Sequence, residues 1–438
     1  MQNVKELIQK AGVVGAGGAG FPTHVKLADN IETILVNATE CEPLLKTDFY
    51  LLSQESSRLE TALEALVKIT GAKHGVIGIK QHTGELLGME HPKKVSDLVS
   101  YRFTGNVYPS GDEIILIQDV LGKAVPGGQL PISVGVVVIN AETLFNIANA
   151  MEDKAVTHKY LTVAGNTEKT YVIKVAIGTP VSYVLDSLGV SVPQDCSVLE
   201  GGPMMGNIIN PNTSVVTKTT KSILIIDNNT LCIRLKTRKL SDSLNRASGN
   251  CCGCRMCTDL CPRHLMGYPI EPHKIVQRLS AKANDTKVFM GAFYCSNCGV
   301  CQTIACPQNI SPNRLFQRVK AELLKNGIKA VPMEQTVPKA VRNYRKVPSK
   351  RLVNRLGIRK YERDDFSYLE LPNPARVSIL VKQHIGAPGD VSVSVGDAVT
   401  VGQIIVKAKE NALSTNIHSS VNGTVVEISE SAVHIAVE

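Results

Sequence analysis

The sequence predicts a multidomain α/β protein with a helical cysteine-rich module and a closing all-β domain, and three observations predict it. The chain has 438 residues, more than one hydrophobic core usually serves. Apolar strand-like runs, IETILVNA (31–38) and VVVINAET (136–143), alternate with amphipathic helical stretches, the pattern of open α/β sheets. Eight of the twelve cysteines fall into two regularly spaced sets between Cys251 and Cys306, which marks off a separate unit. The expected divisions are 1–160, 161–235, 236–330, 331–370 and 371–438.

Hydrophobic residues make up 43% and charged residues 20%, ordinary for globular protein, so wholesale disorder is excluded. With no Trp, 8 Phe and 11 Tyr, the cores are aliphatic. The length excludes a small disulfide-stapled module. No run nears the ~18 apolar residues of a membrane helix. The start, MQNVKELIQKAG, is polar and helical rather than basic and then apolar. A soluble, cytoplasmic chain without a membrane span is expected. Lys and Arg exceed Asp and Glu by 9. Much of that excess lies between Arg318 and Arg363, a run with only Tyr344 and Tyr361 as aromatic partners and no nucleic-acid motif. It reads as a solvated basic linker, with no nucleic acid as partner.

Cys251, Cys254, Cys257 and Cys261, followed by Pro262, spell C-x2-C-x2-C-x3-C-P, the bacterial ferredoxin run. Cys295, Cys298, Cys301 and Cys306, followed by Pro307, repeat it with one more residue before the last cysteine. Three thiolates at this spacing wrap three irons of a cubane, and the loop is too short to reach the fourth. In two-cluster ferredoxins the fourth cysteine of each run serves the other cluster. The expected ligand sets are therefore Cys251, Cys254, Cys257 and Cys306 for one [4Fe-4S] cluster, and Cys295, Cys298, Cys301 and Cys261 for its neighbour. Zinc sites instead use CxxC pairs separated by longer spans. Cys41, Cys196, Cys232 and Cys252 lie outside the register and read as buried free thiols. Ile275, Val276 and Leu279 after the first set, and Leu315, Val319 and Leu323 after the second, fall at helical spacing. Each Cys-Pro thus leads into a helix, and the module is expected to be helical and ferredoxin-like rather than a compact β form.

Residues 15–20 read GAGGAG, but Val4, Leu7, Ile8 and Ala11 before them form a helical stripe. The dinucleotide fingerprint needs a strand there, so a plain Rossmann dehydrogenase is disfavoured. The loop's backbone N–H groups can instead face a phosphate or a flat ring, where side chains would obstruct. NATECEP (37–43) sets Glu40 and Glu42 just past a strand, where open α/β sheets hold ligands. YPSGDE (108–113) adds a second acidic turn, and VVVINAET a second strand ending in Asn140.

GAGGAGFPT, NATECEP, YPSGDE, VPGGQLP, VVVINAET, GGPMMG and the two cysteine runs together resemble the RnfC family over nearly the whole chain. More distantly, the first motifs are similar to the flavin- and NADH-binding subunit of respiratory complex I. The resemblance implies a Rossmann-like FMN/NADH domain, with noncovalent FMN held by Gly15, Gly17, Gly18, Gly20, Lys26, Asn37 and Asn140. NADH is then expected to stack near Phe21, Glu40 and Glu42. The middle segment resembles the family's β-grasp-like SLBB domain, a scaffold. The closing segment, with short strands and glycine at its turns, resembles the barrel-sandwich hybrid of lipoyl and biotinyl domains. Its hairpin, ENALST, offers no lysine for a swinging arm.

In Rnf subunits that hybrid domain precedes the flavin domain; its place here resembles the cobalamin-reductase branch of bacterial microcompartments. The implied route is NADH to FMN to two [4Fe-4S] clusters to a corrinoid acceptor, with an adenosyltransferase and a microcompartment shell protein as partners. Two alternatives stay open: a subunit of a membrane electron-transfer complex, and a noncatalytic electron conduit across a shell.

Overall fold

In the computed structural model, which describes residues 2–438, the apolar runs of the first domain form a sheet with both faces covered. Its strands are β1 (Thr33–Ala38), β2 (His74–Lys80), β3 (Lys93–Lys94), β4 (Val99–Thr104) and, after the two-residue β5 (Val107–Tyr108) outside it, β6 (Val136–Asn140). The order is β3-β4-β2-β1-β6, parallel except for the β3 edge. Helices Thr47–Thr70 and Ala141–Met151 cover the face carrying Ile34, Val36 and Ile139. Helix Glu113–Leu121 and the segment around Met266 and Ile270 cover Leu35, Val136 and Val138. Burial on both faces is why these strands read as continuous Val/Ile/Leu runs rather than alternating ones. The chain runs outward from β1 through β2 and β4, then returns to the far side of β1 as β6. The carboxyl ends of β1 and β6 therefore flank a topological switch point, the crevice where such sheets bind ligands.

The middle unit contributes β7 (His158–Gly165), β8 (Tyr171–Ala176), β9 (Cys196–Glu200), β10 (Asn207–Ile209) and β11 (Ser222–Asp227), with helix Val181–Ser187 packed through Val181, Val184 and Leu185. Residues 331–370, read from sequence as a solvated linker, are folded against both units. β12 (Val347–Pro348) pairs with β5, and β13 (Ser367–Glu370) lies parallel to β8, giving the order β10-β9-β11-β7-β8-β13. Between them, helix Ser349–Leu356 buries Leu352, Val353 and Leu356. Three of its cations meet distant carboxylates: Arg342 and Lys346 reach Asp119 at 2.7 and 3.0 Å, and Lys360 reaches Asp227 at 3.1 Å. Basic residues hid an apolar stripe whose period becomes visible only when the helix is formed.

The cysteine-rich unit is helical. Leu240–Asn250, Pro272–Ser280 and Pro312–Lys325 pack through Ala247, Ile275, Val276, Leu315, Phe316 and Val319. Among the described residues no strand lies between 228 and 346. The closing domain holds β14 (Arg376–Leu380), β15 (Asp390–Val391), β16 (Ala398–Val399), β17 (Ile404–Lys407), β18 (Ile417–His418), β19 (Gly423–Ile428) and β20 (Ala432–Val437) in two small sheets around Val377, Ile405, Val425 and Ile435. Among the described residues no helix is long and apolar enough to cross a membrane.

Candidate functional site

The β1–β6 register sets Asn37 opposite Asn140 at the carboxyl ends of the two strands. The glycine loop lies on this pair. A Cβ on Gly17 would stand 2.6 Å from Nδ2 of Asn140, so only glycine lets the backbone descend on that amide. The Ala16 N–H donates to Thr143 Oγ1 at 3.0 Å and the Gly15 N–H to the Phe21 carbonyl at 3.0 Å, which fixes the loop's course. Gly17 and Gly18 are exposed, and a Cβ on Gly18 would meet nothing within 4 Å. That is a cradle open on its ligand side.

Lys26 Nζ donates to the Val138 carbonyl at 3.0 Å, lies 3.7 Å from Glu113 and sits 5.9 Å from the centre of the Phe21 ring. Asn37 donates to the Gly111 carbonyl at 2.8 Å and accepts from the Thr39 N–H and hydroxyl. Gly15, Gly17, Gly18, Gly20, Phe21, Lys26, Asn37 and Asn140 thus share one place. Exposed backbone N–H groups beside an amide and an ammonium suit a phosphate and a flat ring, so this cradle fits FMN.

Glu40 and Glu42 make their hydrogen bonds elsewhere. Glu40 accepts from the Asp48 and Phe49 N–H groups at 3.1 and 3.4 Å, at the start of helix Thr47–Thr70. Burial, with the Asp48 charge, pushes its carboxyl up to about 7. Glu42 accepts from the N–H groups of Met204 and Met205 at 2.9 Å each, and Gly202 leaves the space that carboxylate occupies. It joins the first domain to the GGPMMG turn of the middle one. Sequence reasoning missed Thr143 and the buried Lys159–Glu142 pair, in which Lys159 also reaches the Ala16 carbonyl at 3.4 Å. Glu142 lies within VVVINAET, yet only the fold supplies its lysine.

The cysteines gather in two groups. Cys251, Cys254, Cys257 and Cys306 line one cavity with Val276 and Ile310; Cys261, Cys295, Cys298 and Cys301 line another with Ile270 and Phe316. The last cysteine of each run therefore stands with the first three of the other. In both runs the second and fourth residues after the first cysteine are left-handed: Gly253 (φ 67°) and Arg255 (φ 64°), then Asn297 (φ 58°) and Gly299 (φ 76°). Such alternation turns successive N–H groups inward, an anion nest suited to cluster sulfides. The extra residue of the second run is absorbed by a π turn, Cys301–Ala305, closed by the Cys306 N–H on the Cys301 carbonyl at 3.1 Å. The first run makes an α turn, Met256–Asp259, instead.

Burial and neighbouring sulfurs push the thiols of Cys257 and Cys261 up to about 12, so they become thiolates only with a cation among them. Four thiols lining one cavity fit a cubane cluster.

The second group faces the first domain. Tyr108 donates its hydroxyl to the Cys298 carbonyl at 2.7 Å, and Arg263 pairs with Asp112 at 2.8 Å, both side chains largely buried. Asp112 also caps helix Glu113–Leu121 and follows Gly111, whose carbonyl holds Asn37. The first group faces solvent, with Cys254 exposed. Cys252, expected to be buried, is exposed on that cavity's rim.

Residues 8–149 match the Nuo51 FMN-binding domain, 250–311 the 4Fe-4S dicluster domain and 357–437 the RnfC barrel sandwich hybrid domain. The chain is 38% identical, over 99% of its length, to cobalamin reductase PduS of Salmonella typhimurium, covering 96% of that protein. It is 36% identical, over 99% of its length, to cobalamin reductase PduS of Citrobacter freundii, again covering 96%. It is also 32% identical, over 62% of its length, to a protein of the Na(+)-translocating ferredoxin:NAD(+) oxidoreductase complex of Acetobacterium woodii, covering 60% of that protein.

Proposed function

The chain belongs to the cobalamin reductase PduS family, and from that premise we propose how its residues serve NADH-linked electron transfer to a corrinoid. It is an oxidoreductase whose mixed α/β fold carries an FMN-binding domain, a 4Fe-4S dicluster domain and a barrel sandwich hybrid domain. When bound, FMN converts the two-electron chemistry of NADH into single electrons and the [4Fe-4S] clusters carry them one at a time.

The glycine loop, Lys26, Asn37 and Asn140 hold the flavin. Phe21 and the Glu40–Glu42 turn border the NADH side, Glu42 keeping that turn in place through Met204 and Met205. Cys251, Cys254, Cys257 and Cys306 hold one cluster, and Cys261, Cys295, Cys298 and Cys301 the other. The middle sheet is a β-grasp-like SLBB scaffold.

One observation carries this account. Asn37 bonds the Gly111 carbonyl, and the next residue, Asp112, pairs with Arg263, two residues beyond Cys261. Flavin cradle and second cysteine group are thereby joined through a short chain of contacts, beside the Tyr108–Cys298 hydrogen bond. Full-length likeness to the cobalamin reductases favours a corrinoid acceptor in a bacterial microcompartment, with an adenosyltransferase and a shell protein as partners. The relative from the ion-translocating complex aligns over a smaller share of the chain.

The test is anaerobic reconstitution with FMN, iron and sulfide, followed by NADH and cob(III)alamin. Corrinoid reduction that needs both FMN and the clusters is expected. A corrinoid that stays oxidised beside NADH-reduced clusters would overturn the acceptor.

A further inference from the structure

Resting on the electron-transfer account above, we infer that the exposed cationic face beside the Cys251–Cys257 loop is the docking surface for an acidic electron-accepting protein. Between Cys232 and Asp259 the chain carries Arg234, Lys236, Arg238, Lys239, Arg246 and Arg255 against Asp242 and Asp259. Arg234, Lys239, Arg246 and Arg255 are exposed. Among the described residues only Arg255 of these four has a carboxylate in reach, Asp259 at 4.0 Å.

This concentration of like charge is fastened in place. Arg238 donates to the Asn309 carbonyl, three residues beyond Cys306, and Arg314 donates to the carbonyls of Leu235 (3.3 Å) and Arg238. Burial and the neighbouring charges of Arg246 and Arg234 both disfavour the charged form of Arg238. Holding more cations than counter-charges together raises the energy of the free protein and steers an oppositely charged partner.

Of the two cysteine groups, the one beside this face is the more exposed. The second cysteine group is turned toward the first domain, whereas Cys254 of the first is exposed. Met256 (41% exposed), two residues from Cys254, and Leu244 (38%) on the preceding helix add apolar side chains to the cationic stretch, and Met and Arg are enriched in protein interfaces. A free corrinoid does not match this surface, because its single phosphodiester is offset by cationic cobalt(III). Several carboxylates presented together do.

The test uses the reconstituted holoprotein and two haem proteins as probes, acidic cytochrome b5 and basic cytochrome c. Electrons are loaded with NADH or, separately, with dithionite, so that a failure to accept electrons from NADH is distinguished from a failure to dock. Cytochrome b5 reduction should be the faster of the two, and should slow about tenfold between about 20 and about 300 mM salt. The R234E/K239E/R246E variant should lose about tenfold of the cytochrome b5 rate at low salt and invert the salt dependence. Its iron content, cluster EPR signals and reduction of a neutral quinone should match those of the unaltered protein.

Three results would overturn the inference: cytochrome c preferred by the unaltered protein, a variant with the same rate and salt slope, or a variant in which cob(III)alamin reduction falls as far as that of cytochrome b5. The last would assign the face to the corrinoid itself.

Discussion

Lys218 donates to the carbonyl of Gly12 at 2.7 Å, and the same ammonium nitrogen reaches the carbonyl of Asn416 at 2.9 Å. One middle-domain side chain thus ties the approach to the glycine loop to the closing domain. At the loop's other end Gly20 (φ 70°) packs on Gln383 and His384, and the Lys218 N–H bonds Gln383 Oε1 at 2.9 Å. Burial away from any carboxylate pushes the Lys218 amine down to about 7. A neutral amine still has the N–H donors both carbonyls need.

That burial predicts a pH dependence. The unfolded lysine holds its proton up to about 10.5, the folded one only up to about 7. Between those values the unfolded chain binds more protons, so this residue's contribution to stability rises with pH, by up to about 1.4 kcal/mol per unit, and is lost as pH falls toward 7. Denaturant melts of the unaltered protein and of K218M should diverge from pH 7 to 10 in that sense. Parallel curves would refute it. His418, pushed down to about 3 by burial and the nearby Lys218, acts in the same direction between about 3 and 6.5.

Gly17 and Gly18 should separate folding from flavin binding. G17A presses a methyl on the Asn140 amide and should cost about 1–3 kcal/mol of stability. G18A meets no protein atom within 4 Å, so its melting temperature should stay unchanged while FMN affinity, read from fluorescence quenching, falls about tenfold. An undisturbed FMN affinity in G18A would place the flavin elsewhere.

The exchange of fourth cysteines is testable by iron counting. C251S/C306S removes two ligands of one cluster and should keep about half the iron, whereas C251S/C261S strikes both clusters and should keep almost none. The opposite pattern would mean that each run closes on itself.

Much of this was legible in the sequence because metal ligation constrains spacing. Two runs of x2 intervals ending in Cys-Pro leave few arrangements, and the grouping of Cys306 with Cys251, and of Cys261 with Cys295, is the one that the spacing predicts. The glycine loop over Asn37 and Asn140 was legible for a similar reason, since motifs at strand ends mark a sheet's ligand edge. Glu40 and Glu42 carried a weaker signal: a carboxylate after a strand binds whatever N–H groups the fold brings, here those of Asp48, Phe49, Met204 and Met205. The basic stretch 331–370 misled because charge dominates its composition while Leu352, Val353 and Leu356 decide its burial. Lys218 and Arg263 could not be found from sequence, since their partners lie more than a hundred residues away.

Arg263 should be the costly residue to remove from the seam between flavin cradle and cysteine module. R263M leaves Asp112 buried without its cation and should destabilise the protein by about 3–5 kcal/mol. D112N/R263M should recover part of that loss in thermal melts. A single substitution as stable as the unaltered protein would show that the pair does not hold the seam.

The most direct measurement is an anaerobic NADH titration of the FMN- and iron–sulfur-reconstituted protein, with flavin absorbance and cluster EPR read on the same samples before cob(III)alamin is added. The account predicts that NADH bleaches the flavin, that cluster signals follow, and that the corrinoid reoxidises both. A flavin that remains oxidised under excess NADH, with clusters that dithionite can still reduce, would contradict it.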